Sequence, residues 1–354
     1  MKHIIYGVCG IGLGHTYRQL PIIDHLAKNH KIALFAYLDS LSFYQKHFEN
    51  VPTVKVIQVA TPFMGGTKDG LDFKAIKNDP RNQQDFFGIN MQAFAEAKKF
   101  INTPDLALTD YEPTAAQYAY MCNTPLITLD QHSKYLVGHF PETLHGFSNH
   151  EDLQRLNMFF PKAEKRIIFS FFDFPIKTKN DPSVIILPPI LKQAITSGVR
   201  RRLKNKYVCY ISTQENFGQK IADIFEVFAH FPEKQFYLYL KTPPSYSPPN
   251  VTVHTQGHPS FEKNLLSCEG LICSAGHSLP SEAAYLGVPI YAIPLPTYEQ
   301  HMNAEMIAKN GLGITTAALS AEGLNTFFNF AARFTPKPTK QTTPQTVSRL
   351  IGLV

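Results

Sequence analysis

The chain has few cysteines and none at metal-binding spacing: Cys9, Cys122, Cys209, Cys268 and Cys273 are the five among 354 residues. They form no C-x-x-C pair, their number is odd, and most have apolar, strand-like neighbours. They read as buried free thiols of a reducing compartment rather than a disulfide framework. No apolar run approaches the roughly 18 residues of a membrane-spanning helix. A secretory signal is not expected either, because Gly7, Gly10, Gly12 and Gly14 break the apolar start and Lys2 alone charges its front. These absences point to a cytoplasmic protein. No compact Asp-x-Asp offers a metal site, and no stacking motif or recognition module accompanies the basic residues, which argues against nucleic-acid binding. With 44% hydrophobic and 18% charged residues and a net charge of +6, the composition is that of a globular chain. Its length suits two domains.

Strand-like and helix-like segments alternate through both halves. Apolar runs at 3–8, 31–37, 54–59, 106–109, 125–129, 166–171 and 184–187 predict strands in the first half. Helices are predicted over 16–28 and 89–102, with a long polar stretch at 61–88. The second half repeats the pattern with strands at 207–211, 236–240, 251–253, 271–272 and 288–293 and helices at 218–231 and 261–267. Such alternation predicts parallel, doubly wound sheets. Polar residues gather where the strands end, which is where open α/β sheets bind ligands.

Gly10-x-Gly12-x-Gly14 directly follows the first strand, and Asp39 ends the second. That pairing invites a dinucleotide reading. The third glycine of the fingerprint would stand at position 15, however, and His15 occupies it. A histidine beside a strand end can take a proton from a hydroxyl, cap the helix, or hold a phosphate. Asp110 ends another strand and is either its partner or the cap of the helix beginning near Pro113. Asp130, Gln131 and His132 form a third strand-end cluster.

The most informative segment runs from Cys273 to Ala304. A strand leads into the small-residue turn 274–278, then a helix carrying Glu282. A second strand follows, and then a loop ending in Glu299, Gln300 and Asn303. Small residues before a helix let backbone N–H groups and the positive helix end face an anion. A carboxylate one turn into that helix suits a pair of sugar hydroxyls. Together they describe a pocket for a ribose joined to a pyrophosphate.

Ala275 and Gly276, Glu282, Gly287 with Pro289, Glu299 with Gln300, and Asn303 with Ala304 resemble, in order and spacing, the donor half of GT-B glycosyltransferases. The likeness is to the branch with the peptidoglycan N-acetylglucosaminyltransferase (family 28) and the small-molecule UDP-glycosyltransferases. Gly14-His15-Thr-Tyr-Arg18 matches that branch's Gly-His-x-x-Arg form. Asp110-Tyr-Glu112-Pro113 and Asp130-Gln131-His132 resemble a microbial group within it. His277 stands where many relatives have a small residue, and the Trp that opens the plant signature is absent from a chain without Trp.

The resemblance implies the GT-B architecture, an α/β fold of two Rossmann-like, doubly wound parallel-sheet domains facing a central cleft. Residues 1–191 would bind acceptor, 192–205 form the hinge and 206–335 bind donor, while the tail 336–354 packs back onto the first domain. The implied activity is inverting, metal-independent hexosyl transfer from a UDP-sugar or TDP-sugar, a substrate rather than a cofactor, to a hydroxyl acceptor. His15 and Asp110 would be catalytic. Ser212, Thr213, Ser274, Ala275, Gly276, His277, Ser278, Glu282, Glu299 and Gln300 would bind donor. Gly14, Glu112, Asp130, Gln131 and His132 would line the acceptor site. The basic run 200–206 permits a lipid-linked acceptor and peripheral contact with the inner face of a membrane, the alternative being a small-molecule acceptor. The rival readings are a nucleotide-sugar 2-epimerase and a non-catalytic nucleotide-sugar-binding regulator.

Overall fold

The apolar runs become strands buried on both faces, as parallel sheets covered by helices require. In the computed structural model, which describes residues 1–64, 66–67, 70–211, 219–337 and 339–353, the chain divides into two compact units. One is Met1–Lys192 with Gln341–Val354, the other Gln193–Lys340.

The first unit holds β1 (His3–Val8), β2 (Lys31–Ala36), β3 (Val54–Gln58), β4 (Leu106–Asp110), β5 (Leu126–Asp130), β6 (Lys165–Phe169) and β7 (Val184–Leu187). They join in the order β7-β6-β5-β4-β1-β2-β3, every pairing parallel. The period of two along β1 divides its side chains between two cores. Ile4, Tyr6 and Val8 pack with Ile22, Ile23 and Leu26 of the helix Leu13–Leu26, and with Val347 and Ile351 near the chain's end. Ile5 packs on the other face with Phe94 and Ala97 of the helix Phe86–Ile101 and Ala115 and Ala119 of the helix Pro113–Met121. The terminal helix Pro344–Leu350 is further tied down by Lys165, whose Nζ donates to the Leu350 carbonyl at 2.9 Å.

The second unit repeats the order one strand shorter. Its strands are β8 (Lys206–Tyr210), β9 (Gln235–Leu240), β10 (Val251–Thr255), β11 (Gly270–Cys273), β12 (Ile290–Ala292) and β13 (Gly313–Thr315). They lie as β10-β9-β8-β11-β12-β13, again all parallel. In each sheet the order reverses beside the unit's first strand, between β1 and β4 and between β8 and β11. A doubly wound sheet opens its ligand crevice at that switch point.

Several local features differ from the sequence reading. The helix expected over 16–28 starts at Leu13, so His15 lies in its first turn rather than in a loop. Two glycines set that entry: a Cβ on Gly10 would sit 1.9 Å from the Tyr37 carbonyl oxygen, and Gly12 has φ +70°. Within 61–88, a helix Phe73–Asn78 forms, and the next helix starts at Phe86 because the Asp85 carboxylate accepts from the Gly88 N–H at 2.8 Å. The strand β13 was not foreseen; at three residues, Gly313–Thr315, it is too short to show a period. Glu299, Gln300 and Asn303, expected in a loop, stand on the helix Tyr298–Lys309.

Three of the five basic side chains in the run 200–206 are engaged within the second unit, while Arg201 and Lys204 are exposed. Arg200 donates to the Cys268 carbonyl at 3.0 Å and Arg202 pairs with Glu269 at 2.6 Å. Lys206 donates to Asn264 at 2.8 Å and Ser267 at 2.7 Å. All five cysteines are free thiols, and every one except Cys122 is buried. Burial pushes the Cys9 and Cys268 thiols up to about 11. None of the described helices is long and apolar enough to cross a membrane.

At the end of β4 the chain turns through Tyr111, a non-glycine residue at φ +58°, into the helix Pro113–Met121. Glu112 is fully buried and caps that helix, accepting from the Thr114 N–H at 2.8 Å and the Ala115 N–H at 2.7 Å. Thr61 donates to the same carboxylate at 3.2 Å. Glu112→Ala strands two buried N–H groups and is expected to cost about 1–2 kcal/mol. The check is the thermal unfolding of the variant: a lowered midpoint is expected, and an unchanged one would remove the capping role.

Candidate active site

The first unit's switch point carries a fully buried carboxylate. Asp110, the last residue of β4, is 0% exposed and is met by three side chains of one helix. Arg18 Nη2 lies 2.8 Å and 2.7 Å from its two oxygens, with Arg18 Nε 3.2 Å from Oδ2. Gln19 Nε2 donates to Oδ2 at 2.8 Å and to the Leu129 carbonyl at 2.8 Å, while its own oxygen accepts from Tyr6 at 2.6 Å. His15 Nδ1 stands 3.1 Å from Asp110 Oδ1. Positions 15, 18 and 19 share a helix face by their i, i+3, i+4 spacing.

Burial pushes the Asp110 carboxyl up, but the Arg18 guanidinium and His15 outweigh it and hold the group well below the usual carboxylate range. Burial also lowers the His15 imidazole from its ordinary value. Asp110 opposes that shift, Arg18 adds to it, and the net direction is downward. The His15 side chain keeps 15% of its surface exposed, so the ring reaches solvent from a buried base. Arg18 Nη2 also approaches His15 Nδ1, at 2.9 Å. Nδ1 thus has two competing partners, an acceptor in Asp110 and a donor in Arg18.

The next strand end supplies further rings. His132 stacks on Tyr111 with centroids 4.1 Å apart and planes 21° apart. His15 lies parallel to both, 5.7 Å from His132 at 4° and 6.4 Å from Tyr111 at 17°. Gln131 Nε2 is 2.9 Å from His132 Nε2, and Lys134 Nζ donates to Gln131 Oε1. Asp130 is taken up by its own turn, accepting from the Ser133 N–H at 2.6 Å and the Ser133 hydroxyl at 2.8 Å. His15, Asp110, Gln131 and His132 are therefore brought together, Gly14 adjoins them in the chain, and Glu112 and Asp130 serve local caps. Sequence reasoning carried Arg18 and Tyr111 only within motifs, without a role of their own in this cluster, and missed Gln19 and Lys134. The helical spacing from His15 would have flagged Gln19; nothing in the pattern flagged Lys134.

In the second unit, the Ser274 N–H continues the ladder to the Tyr210 carbonyl at 3.1 Å. Ala275 is buried, and a Cβ on Gly276 would meet no atom within 4 Å. His277 precedes the helix Ser278–Leu286, and Glu282, one turn in, is 6% exposed. Asn303 ties the helix Tyr298–Lys309 to this turn: its Nδ2 donates to the Ala275 carbonyl at 3.0 Å and to Glu299 Oε1 at 3.3 Å. Gln300 spends its carbonyl oxygen on the Leu295 N–H at 2.9 Å. The turn 274–278, Glu282, Glu299 and Gln300 thus belong to neighbouring elements at the C-terminal ends of β11 and β12. Ser212 and Thr213 lie outside the described residues. His258 sits in the turn after β10, its Nδ1 2.8 Å from the Ser260 hydroxyl. Among the described residues, no cluster of three or more His, Cys, Asp and Glu is arranged to hold a metal ion.

Comparison with known proteins follows the same lines. An uncharacterized glycosyltransferase of Methanopyrus kandleri is 47% identical over 45 residues, a stretch that spans 12% of this chain and 13% of that relative. Among solved structures, the glycotransferase of kitacinnamycin superposes with a TM-score of 0.63 at 16% identity, over 99% of this chain and 92% of its own. SnogD from Streptomyces nogalater gives 0.57 at 16% identity, over 99% of both chains. Phytolacca americana UGT2, solved with UDP-2-fluoro-glucose and pterostilbene, gives 0.63 at 13% identity, over 93% of this chain and 89% of its own. At these identities the likeness is one of fold, and the fold is the GT-B type with two Rossmann-like units. A family model described as glycosyl transferase family 1 matches residues 2–331, and with that span the chain belongs to this glycosyltransferase family.

Proposed function

We propose that the protein is an inverting, metal-independent glycosyltransferase that moves a hexosyl group from a nucleoside diphosphate sugar, a UDP-sugar before a TDP-sugar, to a hydroxyl acceptor. The observation that carries this reading is the contact of His15 with the buried Asp110. A neutral His15 that donates Nδ1–H to Asp110 turns the lone pair of Nε2 outward. Nε2 then takes the proton of the acceptor hydroxyl as its oxygen attacks the anomeric carbon, and Asp110 stabilises the imidazolium that forms. The bond to the diphosphate breaks on the opposite face, which inverts the anomeric centre.

The second unit would hold the donor. Glu282 accepts from the ribose hydroxyls, and the 274–278 backbone with the positive end of the helix Ser278–Leu286 meets the diphosphate as its charge grows. Glu299 and the amide nitrogen of Gln300 hold hydroxyls of the transferred sugar. Phytolacca UGT2 holds UDP-2-fluoro-glucose and LpCGTa holds UDP, which supports the donor class by analogy of fold. The finer kinship, to the family 28 branch and its microbial group, rests on the residue likeness alone. The acceptor is proposed as a small molecule rather than a membrane lipid, because Arg200, Arg202 and Lys206 are engaged within their own unit.

One observation favours a second reading. If His15 Nδ1 accepts from Arg18 at 2.9 Å, the ring carries its proton on Nε2 and binds ligand as a donor. A 2-epimerase or a nucleotide-sugar-binding regulator would use it so. Product analysis with donor alone separates the epimerase, since only that enzyme yields an isomeric sugar nucleotide.

Calorimetric titration of the purified protein with UDP, TDP, GDP and NAD, without added metal, tests the proposal. Selective UDP or TDP binding is expected. NAD binding without response to the nucleoside diphosphates would return Asp39 and the first glycine loop to the centre. Glu282→Ala should weaken that binding by about 10- to 100-fold, the loss of hydrogen bonds to a charged acceptor. His15→Ala should keep nucleotide affinity and lose turnover by about 10²- to 10⁴-fold. Equal loss of both properties in both variants would dissolve this division of labour.

The pH profile carries a sign. The base form of His15 is the active one, and its pKa lies below the unperturbed value of about 6.5. The acid limb of kcat/KM should therefore fall below that pH, activity holding as pH drops through neutrality and being lost only once His15 takes a proton. An acid limb above pH ~6.5 would assign it to another group.

A further inference from the structure

We propose that His132 is a positioning residue for His15, fixed in one proton arrangement by Lys134 acting through Gln131; the proposal rests on the reading of His15 as the base. The Lys134 ammonium has only donors to offer, so the Gln131 atom it meets is the carbonyl oxygen. That contact settles the orientation of an amide whose two ends are otherwise alike. The amide nitrogen consequently faces His132 Nε2 at 2.9 Å, and because it too only donates, Nε2 accepts. An imidazole accepting at Nε2 is neutral and carries its proton on Nδ1.

Two consequences reach His15. The turn through Tyr111, at φ +58°, lays the phenol ring 4.1 Å from the His132 ring, and His15 lies parallel to both at 5.7 Å and 6.4 Å. Offset ring packing of this kind restricts rotation of the His15 ring, which keeps Nδ1 toward Asp110 and Nε2 on the far side. Electrostatics adds the second. Arg18 already places one cation 2.9 Å from His15 Nδ1. A neutral His132 adds no other, whereas a cationic one would oppose the proton that His15 has to accept. The groups facing His15 are then Arg18, Asp110, Tyr111 and His132, and the Lys134–Gln131 pair governs the state of the last.

The test is a long-range ¹⁵N correlation spectrum of the histidine rings in the full chain near neutral pH, for wild type, His132→Ala, His132→Phe and Lys134→Met. In the wild type, His132 should show the Nδ1–H tautomer and His15 a single tautomer. Lys134→Met should leave His132 in mixed tautomers. His132→Ala should do the same to His15, and His132→Phe, which restores a flat ring without nitrogen, should return His15 to one form. Turnover, measured with a donor and acceptor that the wild type uses, should fall about tenfold or more in His132→Ala and recover in His132→Phe, with nucleotide affinity unchanged in both. A wild-type His132 protonated on Nε2, a His132 spectrum unmoved by Lys134→Met, or a His15 spectrum unmoved by His132→Ala would each overturn the proposal. If His132→Ala fails to fold, the wild-type and Lys134→Met spectra still decide. Absence of sugar transfer in the wild type would sink the functional reading and leave these spectra to judge the ring arrangement alone.

Discussion

The buried charge of Asp110 organises the first unit. A carboxylate taken out of water at the end of a central strand is costly unless it is paired and hydrogen-bonded. Here the pairing comes from one helix face, where Arg18 supplies the opposite charge and Gln19 a further hydrogen bond. Gln19 also bridges to the Leu129 carbonyl and accepts from Tyr6, so the same network joins β1, β4 and β5. Removing one partner of such a pair leaves an uncompensated buried charge, typically a loss of about 3–5 kcal/mol. The helix Leu13–Leu26 therefore has little freedom to shift. Its first turn, which carries His15, is placed by that constraint as much as by the glycines that precede it. The terminal helix presses on the same element from its apolar side, through Val347 and Ile351.

Much of this could be read from the chain itself. Runs such as Ile4–Val8 and Leu106–Leu108 are apolar on both sides because the sheet is covered on both faces, and that continuity marks parallel strands. Acids and histidines that end those runs, Asp110 and His132 among them, open onto the edge where a doubly wound sheet binds its ligands. Lateral relations were illegible. Glu112, rather than Asp110, caps the helix after β4, and two acids separated by one residue give no local sign of which will turn toward the helix and which toward Arg18. Lys134 looks like a surface lysine in sequence, yet it is fully buried because Gln131 and the rings of Tyr135 and Phe172 receive its ammonium. Tertiary neighbours decide such cases, and spacing along the chain carries no record of them.

Helix starts show the same limit on a smaller scale. The reading of 16–28 as the first helix followed the apolar period, which begins to repeat only where the helix meets the sheet. The structure starts it at Leu13 because the backbone has already turned at Gly12. The difference changes the chemistry: a histidine in a first helical turn has its ring direction set by the helix, whereas one in a loop would not. Asp85 advances the later helix by the same logic, its carboxylate capping residues whose side chains show no period.

The two units share a strand order and surround its switch point with different side chains. At the switch point between β1 and β4 the crevice is filled by the protein's own charges, with Arg18, Gln19 and His15 gathered on Asp110. Polar capacity there is mostly spent inside the network, so what it offers outward is one tuned imidazole. At the switch point between β8 and β11 the side chains shrink instead. Ala275 and Gly276 follow the strand, and the space where a Gly276 side chain would stand is open. A backbone without side chains brings N–H dipoles close to a ligand, which suits an anion better than any ring. Asn303 fixes that turn from outside by holding the Ala275 carbonyl, and it brings Glu299 to the same place. Under the proposed function the first crevice would move a proton and the second would hold a charged group still, the pair that a transfer reaction with a nucleoside diphosphate leaving group needs.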